Sequence, residues 1–195
     1  MLTRDQMLAI FRRCNALQRG HFELSSGLHS GHYFQCALFL QHPKYAAKVC
    51  RALARRFAAK RPTVVIGPAT GGILVAYELA RALDARAVYA ERVDAEMHLR
   101  RGFSVSEADR VLVVEDVITT GDSARKVVDL VEAFGAEVVG IGVVVDRSGG
   151  RVKFARRRYE RLLVLDFEHF RPDDCPLCNE HMPLTRPGRP KLRVL

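Results

Sequence analysis

Long apolar runs are missing from this sequence. No stretch approaches the ~20 apolar residues that cross a bilayer, so no membrane partner is expected. The opening MLTRDQMLAI lacks the pattern of a signal peptide, and a cytoplasmic location is the expectation. Cysteines number five, an odd count that argues against a disulfide framework; Cys14, Cys36 and Cys50 read as reduced residues in or near a core. Aromatic residues are sparse at 8%, and there is neither an RNA-binding signature nor the spacing of a zinc finger. These gaps bear on the formal charge of +9, which suits nucleic acid or small polyanionic substrates. The charge alone does not choose. With no nucleic-acid motif beside it, small-molecule substrates and no nucleic acid are the expectation.

What the chain does have is 195 residues with 48% hydrophobic content, enough for one domain with a buried core and at most a small appendage. Its organising stretch is Val111 to Ser123, VLVVEDVITTGDS. Val111 to Val114 form a short apolar run suited to a buried parallel strand. Glu115 and Asp116 follow, then Val117 and Ile118, then Thr119, Thr120, Gly121, Asp122 and Ser123. A helical pattern comes next, with Val127, Val128, Leu130, Val131 and Phe134 closed by Gly135. The loop's N–H groups and hydroxyls can cradle a phosphate at a helix N-terminus whose dipole favours an anion. Two adjacent carboxylates suit a vicinal diol, each accepting a hydrogen bond from one sugar hydroxyl. A phosphate with a diol beside it describes a ribose 5-phosphate. The bland alternative is an ordinary βα turn with Thr119 as a helix cap and the acids solvated. No Gly-Lys-Ser/Thr follows, so a Walker A loop is excluded, as is the dinucleotide glycine fingerprint.

Hydrophobic run, two acids, two residues, Thr-Thr-Gly: this order resembles the phosphoribosyl-diphosphate (PRPP) motif of type I phosphoribosyltransferases. The resemblance implies that residues 115–123 bind PRPP. A second turn, Gly67 to Gly72 (GPATGG), joins the apolar Thr63–Ile66 to a helical pattern over Ile73–Leu83. Three glycines let backbone approach a ligand closely. By resemblance Ala69, Thr70, Gly71 and Gly72 would receive the pyrophosphate.

Around these turns the remaining segments fall in order. Thr3 to Leu17 has helical spacing, with Gly20 expected to stop it. His21 to Gln35 (HFELSSGLHSGHYFQ) is broken by glycine and serine into short extended pieces, as in a hairpin whose aromatics either stack on a planar ring or pack inward. This segment resembles the ring-covering hood of orotate phosphoribosyltransferases, with Ser26, Gly27, Ser30, Tyr33 and Phe34 at the matching places. That family often has lysine just before the Ser-Gly pair, where this chain has Ser25. Pro43 opens a helix through Tyr45 to Ala58, and Ala85 to Ala90 reads as a strand. Glu91 to Arg110 is charged and aperiodic, the mark of a lid or of disorder. Members of the family it resembles usually carry lysines and a His-Gly-Glu-Gly stretch here. This chain has no lysine from Arg61 to Arg125 and reads EMHLRRGF. By resemblance Arg92 and His98 are the candidate catalytic groups, acting on the partner's site in a homodimer.

Glu137 to Val145 is a further apolar strand ending in Asp146-Arg147. A surface Asp-Arg is the plain reading; the resemblance makes Arg147 the bidentate partner of the orotate carboxylate, with Thr119, Tyr33 and Phe34 beside it. Val152–Phe154 and Leu162–Leu165 are expected as final strands. The tail holds Cys175-Pro-Leu-Cys178 with His169 and His181 nearby, a donor set able to bind zinc, though a single Cys-x-x-Cys favours a loop with two thiols. From Pro183 an extended or poorly ordered end is expected.

The expected fold is therefore α/β: a parallel-sheet core flanked by helices, with a small N-terminal hood and a short C-terminal tail. One domain would cover residues 1–170, with the hood at about 20–40 and the core at about 60–150, and residues 171–195 would form the tail. Loops 67–72, 91–110, 115–123 and 146–147 all follow strands, where such sheets bind ligands. The resemblance implies transfer of ribose 5-phosphate from PRPP to orotate, with Mg²⁺ on the diphosphate. Two other readings are a transferase for another nucleobase and a non-catalytic PRPP-binding regulator of the same fold.

Overall fold

Apolar runs alternating with amphipathic helices build one six-stranded sheet in the computed structural model, which describes residues 2–187. In chain order its strands are β3 (Val64–Pro68), β4 (Arg86–Val93), β5 (Glu96–Leu99), β6 (Arg110–Ile118), β7 (Glu137–Asp146) and β8 (Tyr159–Val164). Their spatial order is β5-β4-β3-β6-β7-β8, parallel throughout except for β5. Helix α4 (Gly71–Leu83) links β3 to β4, and α5 (Asp122–Ala133) links β6 to β7.

The central strands are covered on both faces, which is why they read as continuous apolar runs. Side-chain alternation sorts them into two cores. Val65, Leu112 and Val114 face α4 and the N-terminal helices, where Phe11, Leu53 and Leu79 are fully buried. Val64, Ile66, Val111 and Val113 face α5 with Val127 and Val131.

Ahead of the sheet lie α1 (Arg4–Arg13), the antiparallel hairpin β1 (Leu17–Glu23) and β2 (His29–Phe34), α2 (Ala37–Leu40) and α3 (Pro43–Ala54). Thr3 and Gln6 form a capping box that starts α1. The helix stops earlier than its apolar spacing predicted. Asn15 takes a left-handed conformation, and Leu17 and Gly20 belong to β1; Asn tolerates that conformation, and a single apolar residue fits either period. Helix α3 likewise ends at Ala54, and Ala58 falls in a short 3-10 turn.

Three further expectations are corrected. Strand β6 runs through the acid pair to Ile118, which pairs with Asp146, so Glu115 and Asp116 stand on a strand rather than in a loop. The lid begins as a hairpin: β4 extends to Val93 and β5 returns antiparallel to it. Most of its side chains are exposed, so no burial pattern marked it in the sequence. By contrast, Val152 to Phe154 forms no strand; Val152 and Phe154 are buried under the Gly121 turn.

The tail packs on the hood. Helix α6 (Pro176–Asn179) is followed by β9 (Leu184–Thr185), which pairs in parallel with His21 and Phe22 of β1. The end expected from Pro183 is thus extended here, and residues 188–195 lie outside the described residues. Cys175 and Cys178 cluster with His21 and His29 of the hood rather than with His169 and His181.

Candidate active site

Parallel strands deliver their carboxyl ends to one edge, and β3, β4, β6 and β7 all end there. The turn after β3 is drawn tightly against β6. A Cβ on Gly67 would lie 2.6 Å from the Gly72 carbonyl oxygen, and one on Gly71 would lie 2.5 Å from the Asp116 carboxylate. Only glycine permits either approach. The structure thereby brings the Ala69–Gly72 turn and Asp116 together. Helix α4 starts at Gly71 with no side chain capping it, so its first N–H groups face the turn unclaimed by a cap.

The second turn is built in the same way. Gly121, with φ +84°, is the N-cap of α5, again without a side-chain cap. Thr119 and Thr120 are exposed beside it. The Thr120 hydroxyl accepts from the Asp122 N–H at 3.4 Å, and its carbonyl accepts from Arg125 Nη1 at 2.7 Å, which holds the turn open toward solvent. Two uncapped helix N-termini thus meet at one edge, an arrangement that favours a ligand with two anionic groups.

Between them stand the acids. Neither Glu115 nor Asp116 has an ion-pair partner among the described residues. Burial pushes the Glu115 carboxyl up to about 8, reinforced by Asp116 and opposed by Arg92. Burial also raises Asp116, against the pull of the Val117 N–H, its own N–H and the Cys36 thiol. Cys36, which the sequence offered only as a core thiol, therefore lies beside Asp116.

The far wall comes from the end of β7. Asp146 is fully buried, and its carboxylate accepts from the Ser148 N–H and hydroxyl, the Tyr159 hydroxyl and Arg161 Nη1. This knot turns the chain so that Arg147 points away from it. The Arg147 guanidinium lies over the Phe167 ring at 5.8 Å, and its Nε is buried with no hydrogen-bond partner. Burial lowers its pKa, with Tyr33 acting the other way. Tyr33 is thus brought near Arg147. Phe34 is not: alternation along β2 turns it into the core, 3% exposed and edge-on to Phe11 at 5.1 Å. His32 and Phe167, stacked at 5.2 Å, join this wall instead. No periodicity marked Phe167, because it follows β8 in an irregular segment. Ser26 and Gly27 sit in the exposed turn of the hairpin, while the Ser30 hydroxyl donates to the Glu168 carbonyl at 2.9 Å.

The lid hairpin separates its two candidates. Directly opposed residues of an antiparallel pair share a face, and neighbours alternate. Arg92 is opposite Met97, and its Nη2 donates to the Ser123 hydroxyl at 3.3 Å within the same chain. His98 is opposite Glu91 on the other face, where Glu91 pairs with Arg100 and Arg101. Arg92 therefore joins the 119–123 turn, and His98 does not.

This geometry has close counterparts. A profile of the phosphoribosyl transferase domain matches residues 37–160. The orotate phosphoribosyltransferase of Pelotomaculum thermopropionicum is 52% identical over 98% of this chain and 100% of its own length. That of Desulforamulus reducens is 49% identical over 96% and 97%. Among solved structures, Mycobacterium tuberculosis orotate phosphoribosyltransferase in complex with Fe(III) dicitrate superposes with a TM-score of 0.70 at 31% identity, covering 83% of this chain and 96% of that one. The same enzyme in complex with PRPP gives a TM-score of 0.57 at 29% identity over 68% and 80%. On this evidence of sequence and fold together, the chain belongs to the phosphoribosyl transferase domain family and, within it, to the orotate phosphoribosyltransferases.

Proposed function

We propose that the protein transfers ribose 5-phosphate from PRPP to orotate, giving orotidine 5′-monophosphate and pyrophosphate, a step of pyrimidine biosynthesis. The observation that carries this reading is Arg147: a guanidinium with a buried, unpartnered Nε, flanked by the aromatic rings of Phe167 and Tyr33. A planar ring bearing a carboxylate satisfies both features, since the guanidinium fork takes a carboxylate in two hydrogen bonds and the ring stacks beside it.

The other residues take roles by their chemistry. Thr119 to Ser123 and the start of α5 hold the 5-phosphate. Glu115 and Asp116 accept from the ribose hydroxyls. Ala69 to Gly72 and the start of α4 receive the diphosphate, and Arg92, hydrogen-bonded to Ser123, adds positive charge at the 5-phosphate turn. Breaking the bond between the anomeric carbon and the diphosphate oxygen leaves oxocarbenium-like charge on the ribose, while orotate N1 forms the new bond and its proton leaves with the pyrophosphate. Asp116 beside the ribose, and Glu115 once ionised, would favour that charge, and no protein nucleophile is needed. Mg²⁺ fits as a companion of the substrate, because Glu115 and Asp116 have no ion-pair partner among the described residues; when bound, it would neutralise charge on the diphosphate.

A homodimer is part of the proposal. Leu74 and Tyr77, 50% and 60% exposed, give α4 an outward apolar stripe beside the site. His98, turned from its own chain's phosphate turn, would act across that dimer.

A panel of bases with PRPP and Mg²⁺ tests the reading. Orotate should be consumed, and hypoxanthine, guanine, adenine and uracil should not. Turnover of a purine with orotate inert would reassign the base, and PRPP binding without turnover of any base would favour a regulator.

A further inference from the structure

The tail has almost no core of its own. From Asp166 to Pro187, Cys175 is the one buried residue, yet this segment is held on the hood by a short parallel strand pair and by the Arg186–Glu23 ion pair. What fills the contact is a cluster of four donor side chains. His21 and His29, 2% and 5% exposed, come from β1 and β2; Cys175 and Cys178 come from the start and body of α6. Their ligand atoms all lie within 4.8 Å of one another.

We propose that His21, His29, Cys175 and Cys178 form a zinc site that fastens the tail to the hood. The inference does not rest on the reaction assigned above. The distances suit a metal at the centre. Tetrahedral zinc, with bonds of about 2.0–2.1 Å to nitrogen and about 2.3 Å to sulfur, sets nitrogen–sulfur edges near ~3.5 Å. The observed separations are 3.5 Å from Cys175 Sγ to His21 Nε2, 3.7 Å from Cys178 Sγ to His21 Nε2, and 3.4 Å from Cys178 Sγ to His29 Nδ1. The two ring nitrogens are 2.9 Å apart, somewhat closer than such a site requires. Two nitrogens and two sulfurs are a donor set that selects zinc over oxygen-loving cations.

The surroundings prepare the ligands. His21 Nδ1 lies 2.9 Å from the Met182 carbonyl, which can only accept. The proton of neutral His21 is therefore on Nδ1, and the Nε2 lone pair faces the cluster, the arrangement found where a carbonyl orients a zinc-bound imidazole. A bulge in β1 sets Gly20 and His21 against Gly31, and Leu177 of α6 packs over Gly31 with its Cδ1 3.8 Å from where a Cβ would stand. The turn Cys178 N–H to Cys175 carbonyl, 3.1 Å, brings the two sulfurs to one side. The sequence showed the cysteines; the histidines lie more than a hundred residues away, and only the fold unites them.

The test is elemental analysis of the untagged protein purified under reducing conditions. About one zinc per chain is expected. After chelation, titration with Co²⁺ should produce thiolate-to-cobalt charge transfer and the intense visible bands of a tetrahedral site. Cys178→Ser and His29→Ala should lose the metal, whereas His169→Ala and His181→Ala should keep it. If the ligand variants do not fold, the wild-type stoichiometry and cobalt spectrum decide. Metal-free protein that takes up no cobalt in its reduced form overturns the site, and so does undiminished zinc in a folded His21→Ala, His29→Ala double variant.

Discussion

At the scale of single residues, the site concentrates two unusual side chains. Glu115 keeps its proton up to about pH 8 in the folded chain, against an ordinary value of 4.5, chiefly because it is buried. Between those values the folded state binds more protons than the unfolded one. Glu115's contribution to stability is therefore full below about pH 4.5 and is lost as pH rises through about 8. In urea unfolding without ligand, Glu115→Gln should gain on the wild type across that window; parallel pH curves would show the carboxyl to be better solvated than the structure has it. If Asp116 accepts from the ribose as proposed, Asp116→Asn should cut kcat/KM for PRPP by ~10²-fold or more, with the circular dichroism spectrum unchanged. Arg147→Ala should raise KM for orotate by roughly 10–100-fold, the scale of a lost charge-assisted hydrogen bond, and leave PRPP affinity by calorimetry as it was. An equal loss of PRPP binding would move Arg147 from the base to the phosphate side.

At the scale of elements, the turn after β3 and the end of β6 act as one unit. The glycine at 71 exists because Asp116 fills the space a side chain would need. Gly71→Ala should therefore displace that carboxylate and reproduce much of the Asp116→Asn defect. The double variant should be little worse than either single one, since both changes strike the same contact. Additive losses would mean that the turn and the acid act separately.

At the scale of the whole molecule, the lid hairpin would divide its labour between the subunits of the proposed dimer. Arg92 touches Ser123 of its own chain, and His98 faces the other way. Mixed dimers discriminate the two. Arg92→Ala subunits combined with Asp116→Asn subunits should stay inactive, because each site lacks one group. His98→Ala subunits combined with Asp116→Asn subunits should regain one intact site if His98 acts on its partner. Recovery in the first mixture, with mixed dimers verified, would reverse the assignment of Arg92.

Local chemistry determined much of this protein from the sequence. The short apolar runs VVIG and VLVV, bounded by turn residues, suit inner parallel strands. The glycine turn and the Glu-Asp-x-x-Thr-Thr-Gly order lie within consecutive residues, so both turns could be singled out without a fold. Other features depend on which face a side chain takes or on what lies across the sheet, and these only the tertiary structure decided. Alternation along β2 sent Phe34 into the core and Tyr33 to the site. Register in the lid parted Arg92 from His98. An irregular segment delivered Phe167 to Arg147, and α2's flank delivered Cys36 to Asp116. The cysteine pair drew its histidines from the opposite end of the chain, because the sequence neighbours His169 and His181 share no cluster with it and the hood hairpin does.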